Sequence, residues 1–245
     1  MNHREVFFIA DDFGLSADIN RATVQAHHDG VLHGASLMMG QPATDDAVRM
    51  ARDNPSLQIG WHLHLCDSRP VTRDAWPWGR SPSWAGWAMG LSGPARRLMR
   101  AEVATQWEQF CLTGLPCAFV NVHHHLHAHP LVYRRLLQVL PRAWSGWMRL
   151  GTPRFFTETR RTRLIERAGR PFWRRRRRRC PFAGSDTLWG IDRVFHMQAG
   201  EIAAAIQRSP VGRHEFMFHP RSPANDADLA CLIELRRSGI QGGQS

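Results

Sequence analysis

The fold class is indicated most clearly by the segment Val6-Phe7-Phe8-Ile9-Ala10-Asp11-Asp12-Phe13-Gly14. A short apolar run that ends in two aspartates is typical of a buried parallel strand with polar groups at its carboxyl end. Ser16 follows at the position of a helix cap, and the pattern predicts a helix over Ala17–His28 that stops at Gly30. The chain therefore opens with a strand followed by a helix, which is the first half of a βαβ unit.

The same alternation continues along the chain. Further strands are predicted over Gly34–Met39, Leu57–Leu65, Cys117–His123, Trp147–Leu150 and Glu215–Phe218, with a seventh near Thr187–Ile191. Helices are predicted over Thr44–Arg52, Pro94–Leu112, Leu131–Leu140, Glu201–Gln207 and Asp226–Arg237. Strands that alternate with helices form parallel sheets. The sequence thus predicts one α/β domain over residues 1–245, a distorted, incomplete (β/α) barrel of about six or seven parallel strands.

The composition limits the class of protein. With 245 residues, of which 43% are hydrophobic, the chain can bury a sizeable core. No apolar run approaches the ~20 residues that cross a bilayer, and Val6–Ala10 is too short for a signal peptide. The five cysteines are scattered without a Cys-x-x-Cys pair, so neither a disulfide framework nor a cysteine zinc site is indicated. We therefore expect a cytoplasmic protein.

The positive charge of the chain is concentrated in one place. All 32 basic residues are arginine and the net charge is +11, but six of them form the run Arg174–Arg179, without which the net charge is +5. Because the positive charge is concentrated in one segment, the sequence does not indicate a general nucleic-acid-binding surface, and we expect no nucleic-acid partner. The run lies in one of two segments, 69–93 and 154–184, that do not fit the alternation and are predicted to be insertions over one rim of the barrel.

Polar clusters lie at the ends of four predicted strands. They are Asp11-Asp12, Gly60–Leu65 with His62, Asn121–Pro130 with His123, and the isolated His219. Active sites of parallel barrels form at the carboxyl ends of the strands, so we expect these clusters to converge. One aspartate and two histidines make a common open metal site, beside which a second carboxylate can act as general base. Asp11 and Asp12 are consecutive, so both reach one site only if the strand ends there, as Phe13-Gly14 indicates.

Four motifs together resemble a known family. The sequence carries Ala-Asp-Asp-Phe-Gly-Leu-Ser at 10–16, Gly-x-His at 60–62, Val-Asn-x-His-x-His-x-His from 120 to 127 before Pro130, and His219-Pro220. This set resembles the YdjC-like carbohydrate deacetylases, and within them the hopanoid-biosynthesis-associated HpnK subgroup. The resemblance is strong over residues 4–150, weak over 151–213 and partial over 214–230.

The resemblance implies a role for each conspicuous residue. Asp12, His62 and His123 match the family's ligands for one divalent metal ion, zinc or magnesium. Asp11 matches the general base, and His219 matches a general acid near the leaving amine. The implied activity is metal-dependent hydrolysis of the acetamido group of an N-acetylated amino sugar, carried on a hopanoid-type glycolipid. The implied fold is a distorted barrel, in agreement with the strand count.

Several points stay open at this stage. Arg149 ends a predicted strand and could bind a substrate oxygen, orient Asp11 or form a structural salt bridge. A metal-dependent phosphohydrolase and a non-enzymatic nucleic-acid-binding protein that uses Arg174–Arg179 are the alternative functions. The sequence also leaves the oligomeric state open, a homodimer included.

A glycolipid substrate implies contact with a membrane surface. Phe172 and Trp173 precede the arginine run, and this pairing of aromatic and basic residues suits an anionic membrane. The segment that bears Trp76, Trp78, Trp84 and Trp87 would add interfacial anchors. We therefore expect peripheral association with the inner membrane face.

Overall fold

The computed structural model describes residues 3–240 and 243–244. Its strands form one sheet and are β1 (Arg4–Phe13), β2 (Gly34–Leu37), β3 (Gln58–Leu63), β4 (Phe119–Val122), β5 (Trp147–Met148), β6 (Thr152–Pro153), β7 (Ala183–Gly184), β8 (Thr187–Trp189), β9 (Gly212–Phe218) and β10 (Gly243–Gln244). Its helices are α1 (Ala17–Asp29), α2 (Thr44–Asp53), α3 (Pro82–Leu91), α4 (Gly93–Leu112), α5 (Pro130–Val139), α6 (Arg160–Arg179), α7 (Ala199–Arg208) and α8 (Ala227–Arg237). A short 3₁₀ segment, His123–Ala128, precedes α5.

The sheet curls into a barrel-like form. Its order is β6-β8-β9-β1-β2-β3-β4-β5-β7, with every pairing along this path parallel, while β10 pairs with β1 in antiparallel fashion. β5 and β6 follow one another closely in the chain, as do β7 and β8. β5 pairs with β7, and β6 pairs with β8. The ladder between them is interrupted, and there the Ser185 hydroxyl accepts bonds from the backbone N–H groups of Leu150 and Gly151. The predicted distorted, incomplete parallel barrel is confirmed.

β1 lies in the middle of the sheet between β2 and β9. Phe8, Ile9 and Ala10 are fully buried, as the apolar run predicts for a strand covered on both faces. The helix that follows begins as predicted, because the Ser16 hydroxyl accepts a hydrogen bond from the backbone N–H of Ile19. Local sequence signals therefore determine the first strand and helix.

β1 does not end at the aspartate pair, contrary to the prediction. The strand continues to Phe13, and its register with β2 shifts between Ala10 and Phe13. Asp12 has a φ of 66°, in the left-handed region that aspartate tolerates better than most residues. This bulge, rather than a strand end, lets the consecutive Asp11 and Asp12 side chains reach the same site.

The two predicted insertions each contain a helix that the sequence analysis did not anticipate. Segment 69–93 contains α3, and segment 154–184 contains α6, which includes the whole arginine run. Thr159 and Thr162 form a reciprocal capping box at the start of α6. Arginine is a good helix former, so a capped start permits a helix despite the repulsion between its charges.

The first insertion is fixed to the barrel by buried polar contacts. The indole N–H groups of Trp76 and Trp78 donate to the backbone oxygens of Ser68 and Leu65, each at 2.7 Å, and both rings are buried. These two tryptophans therefore support the fold and cannot insert into a membrane, which corrects that prediction. Trp84 and Trp87 on α3 are exposed.

Glu102 of α4 provides a second anchor for the insertion. Its buried carboxylate accepts bonds from the backbone N–H groups of Val71 and Thr72 and from the Thr72 hydroxyl, at 2.6, 3.0 and 2.6 Å. It also accepts a bond from the Gln106 amide at 2.9 Å. One carboxylate thus serves as hydrogen-bond acceptor for four donors.

We expect Glu102→Ala to lower the free energy of unfolding by roughly 2–4 kcal/mol, because buried donors lose their acceptor. Urea denaturation followed by circular dichroism measures this change. Glu108→Ala on the exposed side of the same helix is the matched control, with an expected change within about 0.5 kcal/mol. Equal effects of the two substitutions would contradict the anchoring role of Glu102.

Candidate metal centre and active site

Three predicted ligand atoms meet at the carboxyl ends of the strands. Asp12 Oδ1 lies 3.3 Å from His62 Nε2 and 3.1 Å from His123 Nδ1, and the two imidazole nitrogens are 3.3 Å apart. Asp12 comes from the bulge in β1, His62 from β3, and His123 from the residue after β4. The structure therefore brings together side chains separated by up to 111 positions in the sequence.

The ring of His62 is oriented by Asn121. The Asn121 amide nitrogen donates to Asp11 Oδ1 at 2.8 Å and lies 2.7 Å from the Ser36 hydroxyl oxygen, so the amide oxygen faces His62 Nδ1 at 2.6 Å. Because that oxygen can only accept, His62 Nδ1 carries the proton and Nε2 presents a lone pair toward Asp12 and His123. A histidine held in this way by its other nitrogen is typical of a metal ligand.

The electrostatics of the cluster favour a bound cation. Burial alone would raise the pKa of Asp12, but contacts with His123 and His62 hold it well below its usual range. For His62, burial disfavours the charged ring, yet the charges of Asp11 and Asp12 raise its pKa above the ordinary value. Asp12 Oδ1 is buried, and no donor in the described chain makes a well-aligned hydrogen bond to it. An ionised oxygen without a donor and two converging imidazoles fit a divalent metal ion.

A second group of potential ligands lies beside the first. Asp67, His123 and His124 also place one ligand atom each within 4.8 Å of one another. This group shares His123 with the first set, and its aspartate already forms an ion pair with Arg80. Among the described residues, no carboxylate belongs to both groups, whereas two-metal sites typically have bridging carboxylates.

Asp11 lies behind the three candidate ligands and is held by four donors. Arg149 donates from Nη1 to Oδ2 at 2.6 Å and from Nη2 to Oδ1 at 2.9 Å. The Ser36 hydroxyl and the Asn121 amide donate to Oδ1 at 2.9 and 2.8 Å. Burial opposes ionisation, but the charge of Arg149 and that of His62 lower the pKa of Asp11 far below its ordinary value. Asp11 is therefore a fixed, ionised carboxylate.

Arg149 has no nitrogen free for a substrate. Its side chain is fully buried, and its Nε donates to Glu215 Oε1 at 2.7 Å while both terminal nitrogens bind Asp11. This geometry contradicts the prediction of a direct contact between Arg149 and substrate. Of the alternatives, it agrees with a guanidinium that orients Asp11.

His219 borders the same site from the end of β9. Its Nε2 lies 4.0 Å from Asp11 Oδ2, and the ring of Phe195 meets it edge-on, with centroids 5.5 Å apart. The buried carboxylate of Asp228 accepts bonds from the backbone N–H groups of His219, at 2.7 Å, and Met197, at 3.1 Å. Asp228 thus joins the loops that carry His219 and Phe195.

Sequence reasoning missed several residues of the site. Asp228 and Glu215 lie in unremarkable sequence, and no local signal could have identified them. His125 lies within the histidine cluster that begins at His123. In the structure His125 has a φ of 54°, its Nδ1 is buried with no hydrogen-bond partner in the described chain, and burial together with Arg149 lowers its pKa to about 3. A neutral histidine with an unpaired nitrogen beside Asp11 is available to a ligand.

His64, two residues after His62, has a structural role. Its Nε2 lies 2.9 Å from the backbone oxygen of Met39, and its Nδ1 lies 2.8 Å from the Ser68 hydroxyl. Both nitrogens are thus engaged away from the ligand cluster.

Comparisons with solved structures support the fold. A protein from Enterococcus faecalis V583, described as a cellobiose-phosphate cleavage protein, superimposes with a TM-score of 0.65 at 16% identity, over 99% of this chain and 97% of that one. At this identity the likeness concerns the fold alone. Among the described residues, no helix is both long and apolar enough to cross a membrane.

The sequence is similar to curated carbohydrate deacetylases. A carbohydrate deacetylase of Vibrio vulnificus strain CMCP6 is 36% identical over 130 residues, which is 51% of each chain. A carbohydrate deacetylase of Geobacillus stearothermophilus is 33% identical over 133 residues, 54% of each chain. The chain thus spans about half the length of the curated relatives it matches. The sequence model of the YdjC-like protein family matches residues 5–238, and the chain therefore belongs to the YdjC-like family.

Proposed function

We propose that this protein is a metal-dependent N-deacetylase that hydrolyses the acetamido group of an N-acetylated amino sugar. The observation that carries the proposal is the convergence of Asp12, His62 and His123 beside the ionised Asp11. The names of the sequence relatives, carbohydrate deacetylases, support the substrate class.

Asp12, His62 and His123 would hold one divalent ion. Two imidazoles and one carboxylate suit zinc better than magnesium, which prefers oxygen ligands. Bound there, the ion would polarise the acetyl carbonyl and lower the pKa of a water molecule.

The chain's own residues would then move the protons. Asp11 accepts the proton of the attacking water, and His219 donates a proton to the departing amine nitrogen. The bonds from Arg149 keep Asp11 ionised but make it a weak base, so proton transfer to Asp11 requires an acidified water. Arg149 serves as a positioning residue for Asp11 and does not touch the substrate.

We further infer that the sugar is carried on a lipid of the hopanoid type, as in the HpnK subgroup, and that α6 meets an anionic membrane. Leu164, Ile165 and Phe172 on α6 are 68%, 45% and 44% exposed, and Arg175 and Arg179 belong to the same outward face. A basic helix with an exposed apolar row is typical of an interfacial helix.

The helical structure revises which residues can take part in membrane contact. Trp173 is buried against His127, so it cannot act as an interfacial anchor as the sequence analysis expected. Arg176 is also buried, stacked on Tyr133, and Arg177 pairs with Asp186. Only part of the arginine run is therefore available to lipid.

The roles of Asp11 and His62 are separable by substitution. Asp11→Asn is expected to keep the metal while turnover falls roughly 10²- to 10⁴-fold, the usual cost of losing a general base. His62→Ala is expected to lose both metal and turnover. Metal content by elemental analysis and acetate release by coupled assay measure the two properties. Full activity of Asp11→Asn would contradict its role as base.

The reaction itself is tested with substrates of two classes. The metal-loaded protein is expected to release acetate from N-acetylglucosaminyl lipid or from soluble chitooligosaccharide, with one metal ion per chain. Removal of the metal by a chelator should abolish release, and added zinc should restore it. Hydrolysis of phosphate esters without any acetate release would replace the deacetylase with the alternative phosphohydrolase.

Membrane contact is tested by co-sedimentation with vesicles that contain phosphatidylglycerol. The double substitution Arg175→Gln and Arg179→Gln should cost about 2 kcal/mol of membrane affinity, since each charge contributes ~1 kcal/mol. Arg97→Gln with Arg134→Gln, which removes the same charge from α4 and α5, is the matched control. Binding that is equal for both variants, or equal to vesicles of phosphatidylcholine alone, would rule out this role for α6.

A further inference from the structure

A groove separate from the metal centre runs along α6. The groove encloses about 640 Å³. One wall is a face of α6, and the other is the segment Arg208–Val211, which joins α7 to β9. Thr187 and Trp189 of β8 line the groove between these walls. None of the residues that line it belongs to the metal centre. The groove is therefore a second concave surface, independent of the proposed deacetylase reaction.

The charge inside the groove is unbalanced. Seven arginines and three carboxylates line it. Each carboxylate already has an arginine partner, in the pairs Arg163–Glu158 at 2.9 Å, Arg154–Glu166 at 3.0 Å and Arg177–Asp186 at 3.1 Å. Within the described part of the chain, the remaining four arginines form no ion pair with a carboxylate; they are Arg167, Arg170, Arg174 and Arg208.

Three of these four arginines follow one another on a single helix face. Arg167, Arg170 and Arg174 are spaced three and four residues apart, so that each is the neighbour of the next along α6. Like charges at this spacing destabilise a helix, and α6 contains eleven arginines against one glutamate. An anion bound between these side chains would remove that repulsion. To contact all three guanidinium groups, the anion would need several negative groups spaced along the helix.

We propose that the groove binds a small polyphosphate anion, a molecule that carries two or more linked phosphate groups. Guanidinium groups form bidentate hydrogen bonds to phosphate oxygens, and Arg208 would approach the same anion from the opposite wall. A volume of about 640 Å³ is that of a small-molecule pocket.

Two larger polyanions fit the groove less well. The apolar side chains of α6 that a membrane would cover, Leu164, Ile165 and Phe172, do not line the groove. A single nucleic-acid strand binds through bases stacked on a series of exposed aromatic rings. The groove has two aromatic residues, the half-buried Phe155 and the buried Trp189, whose ring packs flat against Phe216. The groove thus offers more contacts to phosphate than to lipid chains or to a series of bases.

Isothermal titration of the whole protein with sodium tripolyphosphate tests the proposal. We expect one site per chain, binding at least tenfold tighter than orthophosphate, and an affinity that falls as salt is added. The triple substitution Arg167→Gln, Arg170→Gln and Arg174→Gln should weaken binding at least tenfold. ATP serves as a second titrant: affinity above that of tripolyphosphate would identify a nucleotide as the source of the phosphates, and equal affinity would identify the phosphate chain alone.

The matched control carries Arg97→Gln, Arg134→Gln and Arg237→Gln, which remove the same charge from exposed positions on α4, α5 and α8. Its affinity for tripolyphosphate should change less than threefold, and circular dichroism should show that both triple variants are folded. Equal affinities of the two variants, or equal binding of tripolyphosphate and orthophosphate, would overturn the proposal. Tighter binding of an oligonucleotide or of anionic vesicles, lost in the first variant alone, would replace the small anion with a macromolecule.

Discussion

The buried guanidinium of Arg149 is the interaction on which the site depends. It extends from the end of β5 to carboxylates on β1 and β9 and so connects strands that are not neighbours in the sheet. A charge buried this deeply is tolerated only when it is paired and fully hydrogen-bonded, and Asp11 and Glu215 meet that condition. Removing Arg149 would leave the buried carboxylates of Asp11 and Glu215 without their charged partner beside the candidate metal ligands, so the geometry of the centre and the packing of β1, β5 and β9 depend on one another.

The charge balance around Arg149 also explains why a divalent cation suits the centre. Asp11, Asp12 and Glu215 are buried or nearly so and carry three negative charges when ionised, against one positive charge on Arg149. Burial, and to a lesser extent the charge of the nearby Asp11, raises the pKa of Glu215 above its ordinary value. His62, with its raised pKa, can offset part of this excess as a cation. A divalent ion would offset two of these negative charges and would bind the lone pairs of Asp12, His62 and His123.

The sequence predicted what depends on local patterns. Apolar runs located the strands, Ser16 located the start of a helix, and the polar clusters at strand ends located the side chains that the structure brings together. The bulge at Asp12 was not predictable, because it depends on how β1 pairs with β2. The burial of Arg149 was not predictable either, since its partner Asp11 is 138 residues away. The helix α6 was missed because a run of arginines carries no hydrophobic periodicity, and its buried edge at Trp173 and Arg176 depends on contacts with other parts of the chain.

Backbone strain locates the site independently of residue chemistry. Six non-glycine residues in the described chain adopt left-handed φ values, namely Asp12, Asp67, His124, His125, Phe195 and Asn225. Asp12, Asp67 and His124 belong to the two groups of candidate ligands, and His125 follows His124 in the chain. Phe195 packs edge-on against the ring of His219, so only Asn225 stands apart from these residues. Each such residue costs on the order of 1–3 kcal/mol, which the rest of the fold must offset. Strain that is concentrated around one centre, and not spread through the loops, indicates that the barrel's packing is used to hold these side chains in place for a ligand.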